Sequence, residues 1–164
     1  MTEEAEAQGT ARRAARGAGR GRRLARTLAF QTLYEMDVSR HRPGAVLQRL
    51  LTEAQASPEV AEFARALVAG VLRHRAEIDR LLQEGAPLYP LSQMSPIDRN
   101  ILRIGIYESL YTTEQVPVQV AINEAVELAK RFGSDSSPRF VNGVLGYVVR
   151  HHRQVEDQPA ADAP

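Results

Sequence analysis

Apolar residues recur every three or four positions along most of this 164-residue chain, and that spacing constrains the fold more than any other feature. Such a period places the apolar side chains on one side of a helix, where other helices can cover them. Three Ser-Pro pairs provide helix starts, because a capping hydroxyl is followed by proline in the first turn: Ser57-Pro58, Ser95-Pro96 and Ser137-Pro138. We see no convincing strand-type alternation. The sequence therefore predicts an all-α fold.

The order of the helical segments predicts about seven helices in two small helical bundle subdomains that share one interface. Pro87 and Pro90 bracket a connector between the two halves. The helix after Ser95 is apolar around most of its circumference, which is typical of the central helix of a bundle. We therefore predict an N-terminal helical subdomain over residues 21–85 and a C-terminal one over residues 86–153.

The two ends of the chain differ from its middle in composition. Residues 1–20 contain hardly any large apolar side chain, and residues 154–164 are rich in Ala, Asp and Pro. Neither segment can bury enough apolar surface to offset the entropy that ordering would cost. We expect a disordered Arg/Gly-rich arm at the start and a short disordered tail at the end.

The net charge of +1 hides an uneven distribution. Residues 1–26 hold seven arginines against three glutamates, whereas the rest of the chain holds 14 basic and 17 acidic groups. A guanidinium group pairs with phosphate through two parallel hydrogen bonds and stacks on bases. The arm therefore favours an anionic partner, RNA in particular, although chromatin, a membrane surface or the ribosome would attract it too.

Catalysis has few candidates in this chain. The absence of cysteine removes disulfides, zinc ribbons and thiol nucleophiles, and it fits a reducing cytoplasm. His151 and His152 are adjacent, so on a helix they point about 100° apart and are poorly placed to share one metal ion. Glu124 and Glu127 share a helix face with Lys130 one turn away, which favours a solvated charged surface. We predict no enzyme, no metal and no cofactor.

Two further features concern packing and membranes. Gly143 and Gly146 lie inside the last predicted helix and suggest a close helix crossing there, and Asn123 and Asn142 are expected to be partly buried and to bond across helices. No apolar run approaches the ~20 residues of a membrane span. We expect a cytoplasmic protein without a membrane partner.

Four segments of the chain resemble the NusB family, in the family's order: Arg22–Tyr34, Asp98–Glu108, Val120–Gly133 and Arg139–Leu145. The resemblance implies an all-helical fold without a catalytic site. It also implies an antitermination factor that binds boxA-type single-stranded RNA of ribosomal RNA operons. In that function the ribosomal protein NusE and the RNA polymerase elongation complex are its partners, and a homodimer is a further possibility.

The resemblance assigns candidate RNA contacts by position. Arg22, Arg23 and Arg26 match the arginine-rich RNA-binding segment of the family, and we add Gln31 and Lys130 as candidates. Some members carry another arginine where this chain has a leucine within that segment, and the long Gly/Arg extension can supply the missing charge.

The resemblance also assigns candidate contacts to a protein partner. Tyr34 and Asp98 match positions associated with the NusE surface. Asp135 and Ser136 fall in the loop that affects complex formation and RNA affinity in the family, and Ser136 stands where some members have Asp.

Two other functions stay open at this point. The first is an RNA-binding accessory domain of an rRNA methyltransferase, because such enzymes can carry a NusB-like domain. The second is a structural helical homodimer, in which the basic arm serves solubility.

Overall fold

A computed structural model describes residues 2–156, so residues 157–164 of the predicted tail lie outside the described part. Over this part the chain forms seven α-helices and one short 3-10 helix and has no β-strand, which confirms the all-α prediction. The α-helices are α1 (Thr2–Ser39), α2 (Pro43–Glu53), α3 (Pro58–Arg73), α4 (Arg75–Gly85), α5 (Pro96–Tyr111), α6 (Val118–Phe132) and α7 (Ser137–Glu156), and the 3-10 helix is Leu91–Gln93.

Helix α1 differs from the expected disordered arm, because it includes residues 2–20. Alanine, arginine and glutamate are good helix formers, and a helix that continues from a packed segment avoids the cost of nucleation. From residue 3 to residue 20 all positions but Gly9 are exposed. The arm is thus a solvated helical extension that presents its arginines to solvent.

The helix starts and breaks agree only in part with the sequence patterns. Ser57 caps α3 as predicted, since its hydroxyl accepts a hydrogen bond from the Val60 amide at 3.3 Å. The stripe from Val60 to Leu82 suggested one helix, but the structure divides it at His74, whose φ of −104° and ψ of 14° interrupt the helix. Residues 154–156 of the predicted tail form the end of α7.

One contiguous aliphatic core joins α1 to α7. Helix α5 lies at its centre, as predicted, with contacts to α1, α3, α4, α6 and α7. Its side chains Ile101, Leu102, Ile104 and Ile106 are almost completely buried. Because this core crosses the predicted boundary between residues 85 and 86, the two subdomains stay a prediction.

A polar cluster on Asp37 ties α1 to α5 beside this core. Arg99 Nε and Asn100 Nδ2 each donate to Asp37 Oδ2 at 2.9 Å, and Arg103 Nε continues the cluster by donating to Asp79 of α4 at 2.8 Å. Burial opposes the charge of the Asp37 carboxylate, but the hydrogen bonds from Asn100 and Arg99, with the charges of the two arginines, hold its pKa below the ordinary value.

The asparagine that is buried and bonds across helices is Asn100, which is neither of the two that the sequence predicted. Asn123 and Asn142 are both exposed, whereas Asn100 is completely buried and bonds to another helix.

None of the helices in the described range has the length and apolar character to cross a membrane.

Candidate nucleic-acid interface

Helix α1 turns its predicted RNA-binding arginines toward two different neighbours. Arg22 and Arg26 are one turn apart and face α3, where their guanidinium carbons lie 5.0 and 5.3 Å from the centre of the Phe63 ring. Arg23 points toward α6 instead. A guanidinium group over an aromatic face is attracted to it, so Phe63 orients the Arg22 head group while Arg22 stays exposed.

Arg26 is buried, unlike its two neighbours in the predicted segment. Its Nε and one terminal nitrogen donate to the two carboxylate oxygens of Glu108 at 2.7 and 2.9 Å. Only 4% of the Arg26 side chain and 2% of the Glu108 side chain are exposed. In this structure Arg26 joins α1 to α5, and a contact with RNA would require that pair to open.

The seam between α1 and α6 holds a second set of polar contacts. Arg23 Nε lies 3.2 Å from Glu124 Oε1, and a terminal nitrogen of Arg131 donates to Thr27 Oγ1 at 3.2 Å. The Arg23 side chain is 62% exposed, so it can exchange Glu124 for another anion. Glu124 therefore pairs with an arginine of α1. The sequence predicted only a solvated charged surface at Glu124 and Glu127.

Gln31 and Lys130 lie near this seam. Gln31 is half-buried, one turn of α1 beyond Thr27. Lys130 is exposed and donates to Glu127 at 3.0 Å. Arg131 directly follows Lys130 and is also exposed. The sequence analysis missed it as a candidate, although its position next to Lys130 indicated the same surface.

Two of the four predicted partner contacts lie in one pocket. Asp98 and Ser136, at the starts of α5 and α7, both line a pocket of about 410 Å³ together with Tyr89, Arg139 and Phe140. Asp98 Oδ1 is buried and has no hydrogen-bond partner among the described residues. A buried carboxylate oxygen without a donor is unusual, and a partner's donor could satisfy this one only after the neighbouring side chains move.

The contacts of Asp98 also differ from what the sequence predicts for the start of α5. Asp98 follows Ser95 at the spacing of a capping box, which predicts a hydrogen bond back to the Ser95 amide. The structure has no such bond, and the Ser95 side chain makes no capping hydrogen bond. The helix start was predicted correctly, but the Asp98 carboxylate lies at this pocket instead.

The remaining two candidates lie apart from that pocket's lining. Asp135 is exposed in the turn before α7. Tyr34 is half-buried on α1 and packs on the core, with its ring centre 6.1 Å from that of Phe30. Over the described range no group of three or more potential metal ligands occurs.

The NusB family model matches residues 23–150. The chain belongs to the NusB family. Its sequence is 48% identical to the transcription antitermination protein NusB of Roseiflexus castenholzii over 134 residues, which cover 81% of this chain and 94% of that protein. It is also 48% identical to the same-named protein of Chloroflexus aggregans, over 80% of this chain and 88% of that one.

Solved structures of the NusB family share this fold. T. maritima NusB superposes with a TM-score of 0.75 at 31% identity and covers 82% of this chain and 96% of its own. A second similar structure is described as antitermination factors NusB and NusE in complex with double-stranded RNA, with a TM-score of 0.73, 28% identity and coverage of 80% of this chain and 98% of that one.

Proposed function

We propose that this NusB family member is an RNA-binding antitermination factor of the cytoplasm. It binds boxA-type RNA of ribosomal RNA operons together with NusE and acts on the RNA polymerase elongation complex. The observation that carries the proposal is the exposed arginine surface of α1, formed by Arg22, Arg23 and the arginines of the helical arm. The NusB–NusE–RNA complex among the similar structures supports both partners.

The RNA surface and the NusE surface use different parts of the molecule. Exposed guanidinium groups on α1 neutralise phosphates, and Gln31 and Lys130 extend the surface along the seam with α6. The pocket of Asp98 and Ser136 lies at the starts of α5 and α7 and, after its neighbouring side chains move, offers its unpaired carboxylate oxygen to NusE. Tyr34 and Asp135 complete the proposed partner surface.

The test measures how RNA affinity depends on salt. Each phosphate contact on a single strand contributes about 0.7 to the slope of log K against log salt concentration. We expect the double variant Arg22→Ala and Arg23→Ala to bind boxA-type RNA more weakly, with a slope shallower by about 1.4. Arg26 is left intact, because its loss would leave the buried Glu108 carboxylate unpaired.

The controls separate charge from sequence recognition and from the partner. Arg150→Ala removes an exposed arginine of α7 and is expected to leave the slope unchanged. Each titration is repeated with a scrambled RNA and with added NusE. An unchanged slope in the double variant would reject the two arginines as contacts, and equal binding of both RNAs in the presence of NusE would reject the function.

No described feature favours the methyltransferase domain or the structural homodimer, which stay untested.

A further inference from the structure

An open groove runs from Arg22 across the molecule to the end of α5. Its first section, about 620 Å³, lies between the arm and α3 and is lined by Arg22, Phe63 and Gln115. A narrow middle section shares Phe63 and Gln115 with the first and adds Tyr107. The last section, about 280 Å³, again includes Gln115 and Tyr107 and ends at Tyr111. Neighbouring sections share lining residues, so the three sections adjoin one another.

Aromatic rings are stacked at the far end of this groove. The Tyr111 ring lies 4.2 Å from His74 and 5.7 Å from Tyr107 between ring centres, with interplanar angles of 23° and 19°. Tyr107 lies directly on Gly70 of α3, where a side chain would collide with its ring. Tyr111 is 38% exposed, so part of this stack is open to solvent.

The polar groups along the groove suit bases better than phosphates. Thr112, Thr113 and Gln115 both donate and accept hydrogen bonds, as base edges require. The phenol of Tyr111 has an ordinary pKa of 10, which burial and the nearby charge of Glu77 raise further, so it is neutral at physiological pH with or without this shift and does not repel a polyanion. Apart from Arg22, the charged groups of the lining are carboxylates.

Those carboxylates decide which part of an RNA strand can enter. Glu59 and Glu62 line the α3 side of the first section, and Glu114 lines the last. They disfavour phosphates inside the groove but can accept hydrogen bonds from the exocyclic amino groups of bases. Phosphates are therefore expected on the Arg22 side and unpaired bases in the groove.

We propose that the Arg22–Phe63–Gln115–Tyr111 groove is a base-stacking site, which receives unpaired bases of a single RNA strand whose phosphates bind the α1 arginines. The inference rests on the proposed RNA-binding function and specifies where the strand continues. Each base has a π-face, so stacking on Tyr111 adds affinity without requiring one sequence. The cationic entrance, the neutral aromatic end and the acidic lining together favour this occupant over a second protein.

Tyr111→Leu tests the site, because leucine keeps apolar bulk but cannot stack as a ring does. Tyr147→Leu is its matched control, since Tyr147 is 42% exposed and also stacks on a histidine, His151, but lies on α7 outside the groove. The probe is a boxA-type RNA of about 12 nucleotides. One base is replaced by 2-aminopurine, whose fluorescence falls when it stacks.

The expected result is RNA binding that is about five- to 100-fold weaker in Tyr111→Leu, with an unchanged salt slope. The quenching of 2-aminopurine should be lost in that variant and kept in Tyr147→Leu. If the two variants bind alike, or if Tyr111→Leu weakens NusE binding or self-association instead, the stacking site is wrong while the proposed function stands. If the unaltered protein fails to distinguish boxA-type RNA from a scrambled strand with NusE present, the proposed function itself fails.

Discussion

The ion pair between Arg26 and Glu108 shows why residue type alone does not reveal a residue's role. Three arginines close together on α1 carry the same charge, yet Arg22 lies on an aromatic ring, Arg23 is exposed beside a glutamate of α6 and Arg26 is buried. The sequence predicts that arginines cluster here. It does not predict which of them is buried, because that depends on Glu108, which is 82 residues away.

Replacing Arg26 by Ala is expected to lower the free energy of unfolding by about 3–5 kcal/mol, because the buried Glu108 carboxylate loses both of its donors. Arg23→Ala is the matched control on the same helix. Arg23 itself is 62% exposed, and Glu124 keeps a terminal nitrogen of Arg26 at 4.0 Å, so we expect a loss of at most about 1 kcal/mol. Urea unfolding followed by circular dichroism measures both values, and similar losses in the two variants would contradict the difference in burial.

At the scale of helices, most starts and the central position of α5 could be predicted, because proline, capping serine and apolar period are local signals. The break at His74 could not, since neither glycine nor proline marks it. The arm was expected to be disordered because it buries nothing, but composition alone does not account for its continuity with the packed part of α1.

Helix crossings were also predicted at the wrong glycines. A side chain at Gly143 would meet nothing within 4 Å, and one at Gly146 would meet only the end of Arg150. Close approaches occur instead at Gly70, where the Tyr107 ring lies on α3, and at Gly85 and Gly105, which meet side chains of α7. A glycine within a helix thus indicates a crossing only if a partner helix reaches it, and the partner is not a local property of the sequence.

Two alanine substitutions distinguish these glycines. Gly143→Ala is expected to stabilise the fold by about 0.5–1 kcal/mol, because alanine is the better helix former and the position is open. Gly70→Ala is expected to destabilise it by about 1–3 kcal/mol, because the Tyr107 ring must leave its place. The measurement is the urea midpoint of each variant, and a shift in the same direction for both would refute the proposed crossing.

At the scale of the whole molecule, polar contacts connect the two halves that the sequence separated at residues 85 and 86. Asp37 belongs to the N-terminal half, and its hydrogen-bond donors Arg99 and Asn100 belong to the other. Together with the continuous core, these contacts lead us to expect that the two halves unfold as one unit. The charge pattern predicted a basic arm on an acidic body, but it could not show that acids of the body pair with arginines of the other half.

The acid stability of the fold tests this connection through Asp37. Its pKa is lowered in the folded state from an ordinary value of 3.8, so folded molecules bind fewer protons than unfolded ones around that pH. The stabilisation is therefore complete above about pH 5 and is lost as the pH falls through the unfolded and then the lower folded pKa. We expect Asp37→Asn to cost about 1–3 kcal/mol at neutral pH, and this cost should shrink below about pH 4.

Urea unfolding across this pH range measures the cost of Asp37→Asn, and it is followed by both circular dichroism and tyrosine fluorescence. The control is Asp135→Asn, because Asp135 is exposed. A cost that stays constant with pH would contradict the role of the Asp37 charge, and two separate transitions would show that the halves unfold independently.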